Sequence, residues 1–124
     1  MPGKPRVVYL DVDDEITSAA ARIRSADASR VALVVPAGSR VATSRINFRL
    51  LAREALSAGR QLAIVAPDAA SRSLAAAAGL DVFRTVGEYE AADEAGRGDG
   101  APRGSGEVAG VAGYLFLPQA TIVV

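Results

Sequence analysis

Val31-Ala32-Leu33-Val34-Val35, then a run whose apolar positions are Phe48, Leu51, Ala55 and Ala58, then Leu62-Ala63-Ile64-Val65, is the stretch that decides the fold. The two short runs are apolar without alternation, as in a parallel strand covered on both faces. The positions between them recur at helical spacing, and Gly59 stands where a helix ends in the left-handed conformation. Strand, helix, strand in this order is a crossover unit, and such units build parallel sheets.

The same unit extends outward in both directions. Val7-Val8-Tyr9-Leu10 reads as a first strand, followed by a helix with Ile16, Ala20 and Ile23 on one face. After the third strand, Asp68 is placed to cap a helix that turns Leu74 and Ala78 inward and ends at Gly79. Val82-Phe83 is a short fourth strand. Thr85-Val86-Gly87-Glu88 then matches a capping box, in which the Thr and Glu side chains each satisfy the other's backbone N–H. That helix is expected to reach about Ala95. The expectation is an α/β domain, a Rossmann-like or flavodoxin-like three-layer sandwich of about four parallel strands with helices on both faces. Strand order is left open.

The pattern changes at Gly96. Residues 96–107 are Gly-rich without apolar periodicity, which reads as a flexible linker. Residues 108–124 contain no charged side chain, and their length lies at the lower limit for a membrane-spanning helix. Gly110, Gly113, Pro118 and Gln119 interrupt them, and only Val108 to Leu117 reads as continuous helix. Thr121-Ile122-Val123-Val124 resembles the start of a strand. The expected division is 1–95 α/β domain, 96–107 linker, and 108–124 an apolar membrane-proximal segment leading into a further region.

Composition narrows the function classes. The 124 residues suit one domain, and a 50% hydrophobic content is too high for general disorder. Fourteen basic residues balance fourteen acidic ones. Nucleic acid is therefore an unfavoured partner, since phosphate neutralisation calls for a basic surface. With no Cys and no His, disulfides, thiol nucleophiles, zinc-finger ligand sets and imidazole acid–base chemistry are excluded. Ser18, Ser44, Ser71 and Ser73 therefore have no imidazole base, and no G-x-S-x-G elbow is present. No signal-peptide core follows the N-terminus, because Asp11, Asp13, Asp14 and Glu15 interrupt it, so the domain is expected on the cytoplasmic side.

Three groups of residues carry candidate chemistry. Asp11, Asp13 and Asp14 follow the first strand, where ligands bind open α/β sheets, and carboxylates there suit Mg²⁺. The phosphatase-like D-x-D pattern lacks its late lysine, since Lys4 is the only lysine. The reading we favour for the cluster is that Asp13 or Asp14 caps the following helix. Gly38 and Ser39 follow the second strand and could offer N–H groups to a phosphate, with Asp68 at the same edge. Neither G-x-G-x-x-G nor a P-loop is present, and a simple turn is the favoured reading. Arg45, Arg49 and Arg53 form a basic stripe on the second helix. It is read first as a solvated face, with RNA, an anionic lipid surface or an acidic partner as the alternatives. No catalytic residue, metal ligand set or cofactor is assigned.

Five segments, Leu10–Thr17, Val31–Ser39, Asn47–Ala55, Leu62–Asp68 and Leu74–Thr85, follow one another with short gaps. Over residues 6–95 the chain resembles the N-terminal cytoplasmic α/β domain of bacterial membrane proteins labelled "baseplate J-like". In that group a linker follows, then a transmembrane helix, then an external region opening with a segment like Leu117–Ile122; Gly113–Val124 fits that junction. The resemblance implies a membrane-anchored envelope protein with an unknown protein partner, contacting the membrane through residues 108–124. It carries over no catalytic residues. The expected function is a non-enzymatic binding or organising module. The alternative is a small-ligand or phosphate-binding domain, or a Mg²⁺-dependent phosphate-transfer domain, using the carboxyl edge of the sheet.

Overall fold

Four strands form one sheet: β1 (Arg6–Tyr9), β2 (Arg30–Val34), β3 (Gln61–Val65) and β4 (Asp81–Phe83). The structure, a computed structural model, describes residues 3–99. The helices are α1 (Ile16–Ser25), α2 (Arg45–Ser57), α3 (Ala69–Ala77) and α4 (Val86–Asp99), and a 3₁₀ turn at Val41–Thr43 leads into α2. Every neighbouring strand pair is parallel. The architecture is α/β and Rossmann/flavodoxin-like. The strand order is β1-β2-β3-β4, sequential and without the reversal that places strands on both sides of β1 in doubly wound sheets.

The register sorts the side chains into two faces. Val8, Leu33, Ile64 and Val82 are successive partners across the sheet, and Val31 pairs with Leu62. This row joins Ala19 and Ile23 of α1, Phe48, Leu51 and Ala55 of α2, and Ala75 of α3 in the larger buried cluster. Alternate strand residues point the other way. There Ala32, Ala63 and Val65 pack with Phe83 and with Val86 and Tyr89 of α4. Phe83 and Tyr89 meet edge to face at 5.5 Å between ring centroids. Three crossover helices thus cover one face, as an unreversed series of same-handed crossovers requires. The first turn of α4 lies on the other.

Helix ends follow local chemistry. Ser44 caps α2, its hydroxyl accepting from the Ile46 N–H at 3.0 Å. Asp68 caps α3. Both helices end on a left-handed glycine, Gly59 at φ 71° and Gly79 at φ 86°. In each, the N–H two residues past the cap reaches back to the third-last helical carbonyl: Arg60 to Ala55 O at 2.8 Å, and Leu80 to Ala75 O at 3.2 Å. The glycine N–H bonds one residue later in the helix, which completes the Schellman pattern.

Two expectations change in detail. The Thr85 hydroxyl accepts from Glu88 N–H at 3.0 Å, as a capping box demands. The Glu88 carboxylate, however, takes the N–H of Arg84 at 2.9 Å rather than that of Thr85. The Arg84 guanidinium lies 3.7 Å from the same carboxylate, which favours this reach. The helix also runs through Gly96 to Asp99, so the first expected linker positions are helical. The chain divides into units 1–89 and 90–124, with the division inside α4. Residues 100–107 of the expected linker and the apolar segment 108–124 lie outside the described residues. Among the described residues, no helix is long and apolar enough to cross a membrane.

Phe48, Leu51 and Ile23 are among the largest fully buried side chains. Phe48→Ala removes a ring that its neighbours cannot replace, and is predicted to lower the unfolding free energy by about 3–5 kcal/mol. Leu56→Ala, at an 81% exposed position of the same helix, should change it by less than about 0.5 kcal/mol. Urea denaturation of the two variants checks the contrast.

Candidate functional site

The carboxyl edge of the sheet gathers the β1–α1 loop, the β2–α2 loop and the starts of α3 and α4. Asp11 and Asp14 close the turn after β1 reciprocally. Asp14 N–H donates to Asp11 O at 3.1 Å, and Asp11 N–H donates to Asp14 Oδ2 at 2.8 Å. The same Asp14 oxygen lies 3.5 Å from Arg22 Nη1, and that nitrogen also donates to Tyr9 O at 2.8 Å. Asp14 therefore braces the end of β1 against α1. It does not cap α1, and neither does Asp13. The N-cap position is Glu15, which makes no side-chain capping bond, and Asp14 is turned back onto Asp11. The Asp11 and Asp13 side chains are exposed and make no hydrogen bond or ion pair among the described residues.

Gly38 and Ser39 build the next turn. Gly38 sits at φ 79°, in the left-handed region that a side chain disfavours, and a Cβ there would lie 3.7 Å from Val12. Ser39 is buried. Its N–H donates to Pro36 O, and its hydroxyl accepts from Val41 N–H at 3.1 Å. Arg40 N–H donates to Val12 O at 3.1 Å. The N–H groups at three successive positions, Ser39, Arg40 and Val41, are thus engaged within the protein. A phosphate cradle would need such groups free and convergent. The Arg40 bond to Val12, with an exposed Arg40–Glu15 pair at 3.6 Å, brings the first two loops together.

Asp68 stands apart from them. Its Oδ2 accepts from Ser71 N–H at 3.0 Å and from Ser71 Oγ at 2.8 Å. The Ser71 hydroxyl, then the Ser71 N–H, hold the Asp68 carboxyl below its ordinary value of 3.8, with Arg72 adding to the effect and partial enclosure opposing it. Oδ1 is enclosed and has no hydrogen-bond partner among the described residues. Arg72 Nη1 donates to both Ala66 O and Pro67 O at 2.9 Å, tying α3 to the end of β3. Asp68 does occupy one distinctive place. The helix after β3 joins the larger cluster and the helix after β4 joins the smaller one, so the chain leaves these two neighbouring strands toward opposite faces. Ligand crevices of open α/β sheets form where the loops after neighbouring strands part to opposite faces. Asp11, Asp13, Asp14, Gly38 and Ser39 lie where successive helices share one face. Among the described residues no three carboxylates converge as metal ligands would.

Arg45, Arg49 and Arg53 lie exposed along α2 and form no ion pair among the described residues. The neighbouring Glu54 is bonded to Arg24 of α1 at 2.9 Å. Sequence reasoning missed what stands between the arginines: Ile46, Leu50 and Leu56 are 63%, 44% and 81% exposed. The signal was available, because these three fall off the face defined by Phe48, Leu51 and Ala55. In comparisons with known proteins, no family model, no curated protein and no solved structure matches this chain.

Asp68→Ala is predicted to lose about 1 kcal/mol of stability through loss of the cap. The native carboxyl titrates below its unfolded value, so its contribution is complete above pH 3.8 and vanishes as pH falls through the folded-state value. Denaturation of wild type and Asp68→Asn across acid pH should show a stability gap that closes on acidification. A gap that widens would contradict the assignment.

Proposed function

We propose that residues 6–95 are a non-enzymatic cytoplasmic binding module of a membrane-anchored bacterial envelope protein. One observation carries this reading: Asp14, the N–H groups of residues 39–41 and Asp68 Oδ2, at the carboxyl edge, are occupied in holding turns and a cap, while Asp11 and Asp13 point singly into solvent. Asp14 closes the turn after β1, the N–H groups of residues 39–41 bond within the protein, and Asp68 caps α3. A phosphate-transfer site would instead require carboxylates and N–H groups aimed at a shared point outside the chain. Among the described residues, the outward side of α2 is a larger unengaged surface, carrying Arg45, Arg49 and Arg53. The membrane part of the proposal is supported by the uncharged sequence of residues 108–124 and by the resemblance over residues 6–95.

The small-ligand or Mg²⁺-dependent reading is favoured by one feature, the enclosed Asp68 Oδ1 where the chain leaves β3 and β4 toward opposite faces. Thermal unfolding separates the two. A ligand that binds only the folded state raises the melting temperature. The binding-module reading predicts no rise with millimolar Mg²⁺ and a panel of nucleotides, and a dose-dependent rise would replace it with the second reading. For the membrane part, cell fractionation of the full-length protein is predicted to place it with the membranes. Complete recovery in the soluble fraction without detergent would remove that part.

A further inference from the structure

The outward side of α2 is neither a plain solvated face nor a plain apolar one. At about 100° per residue, Arg45, Ile46, Arg49, Leu50, Arg53, Leu56 and Ser57 fall within an arc of roughly 140°. All seven are exposed. Three are arginines, three are large aliphatics, and none is acidic. The nearest carboxylate on the helix, Glu54, is drawn aside to Arg24 at 2.9 Å. The opposite side of α2, with Phe48, Leu51 and Ala55, is sealed in the core. The arc runs about 18 Å along the axis.

We propose that this face docks on an anionic phospholipid surface, its guanidinium groups meeting lipid phosphates while Ile46, Leu50 and Leu56 enter the interface. The inference rests on the membrane reading above and names the contact that the folded domain makes there. Charge complementarity carries it: three arginines unpaired among the described residues share an arc that holds no carboxylate. Guanidinium binds phosphate oxygens in a bidentate manner. Long arginine stems let the charges rise to phosphate level while shorter aliphatics sit deeper. A cationic helix carrying exposed Leu and Ile is the composition of an interfacial helix. An aromatic-rich arc would instead favour a protein partner, and this arc contains no Phe, Tyr or Trp. Residues 108–124 of the same chain are uncharged, which suits a chain that works at a bilayer.

The experiment is co-sedimentation of the full chain with phosphatidylcholine vesicles, with and without phosphatidylglycerol, over a salt series. Binding should require the anionic lipid and weaken as salt rises. Each arginine near an anionic surface is worth about fivefold in partitioning, so removing the three charges alone costs about a hundredfold and the reversed variant R45E/R49E/R53E should lose more than that. The variant I46S/L50S/L56S should lose about tenfold while keeping the salt dependence. All six positions are exposed, and unchanged melting temperatures confirm that the fold is intact. Equal binding to both vesicle types, undiminished in the two variants, would assign adhesion to another part of the chain and overturn the inference. Retention on a polyglutamate peptide without vesicle binding would overturn it in favour of an acidic protein. Fractionation with membranes, combined with variants that partition like wild type, would overturn this inference and leave the membrane reading standing.

Discussion

Burial of β2 on both faces is the constraint on which the rest of the structure depends. Val31, Ala32 and Leu33 are fully enclosed. Their backbone N–H and C=O groups must therefore find partners inside the protein, because an unpaired polar group in that position costs about as much as a lost hydrogen bond. Parallel β1 and β3 supply them on either side. A parallel neighbour requires a crossover, and each crossover helix brings its own apolar stripe onto the sheet. Ile23, Phe48 and Ala75 arrive in this way, one from each of the first three helices.

The elements that could be read from sequence were those whose physical cause is local. Unalternating Val, Leu and Ile over residues 31–35 and 62–65 marked the two central strands. Gly59 and Gly79 marked helix ends, because the left-handed backbone there nearly requires glycine. Asp68 marked a helix start, because its side chain must replace missing helical partners. What could not be read depends on contacts distant in sequence. Strand order is set by which edge of the growing sheet each unit joins, and no residue of the unit records it. The role of Asp14 was hidden because its partner Arg22 lies on the following helix, while the N-cap position falls on Glu15. Glu88 departs from expectation for a local reason instead: its carboxylate takes the N–H of Arg84, whose guanidinium lies 3.7 Å away.

The candidate site followed the same division. Each residue singled out at the carboxyl edge does lie there, but Asp14, Ser39 and Asp68 are engaged in turns and caps, while Asp11 and Asp13 are exposed and unbonded among the described residues. The Arg45, Arg49 and Arg53 stripe was legible from its i, i+4, i+8 spacing. Its character was not, because the stripe was read as charge alone. Ile46, Leu50 and Leu56 change it from a solvated face into one with apolar area to bury. Two surfaces of the domain thus differ in kind: one closed upon itself by hydrogen bonds, the other open and chemically mixed.

Amide chemical-shift mapping with anionic bicelles compares these two surfaces in one measurement. If the domain meets its partner through α2, perturbations will cluster in residues 45–57, and the amides of residues 11–15, 38–41 and 68–71 will stay in place. Perturbations centred on those edge turns, with α2 unmoved, would contradict the account.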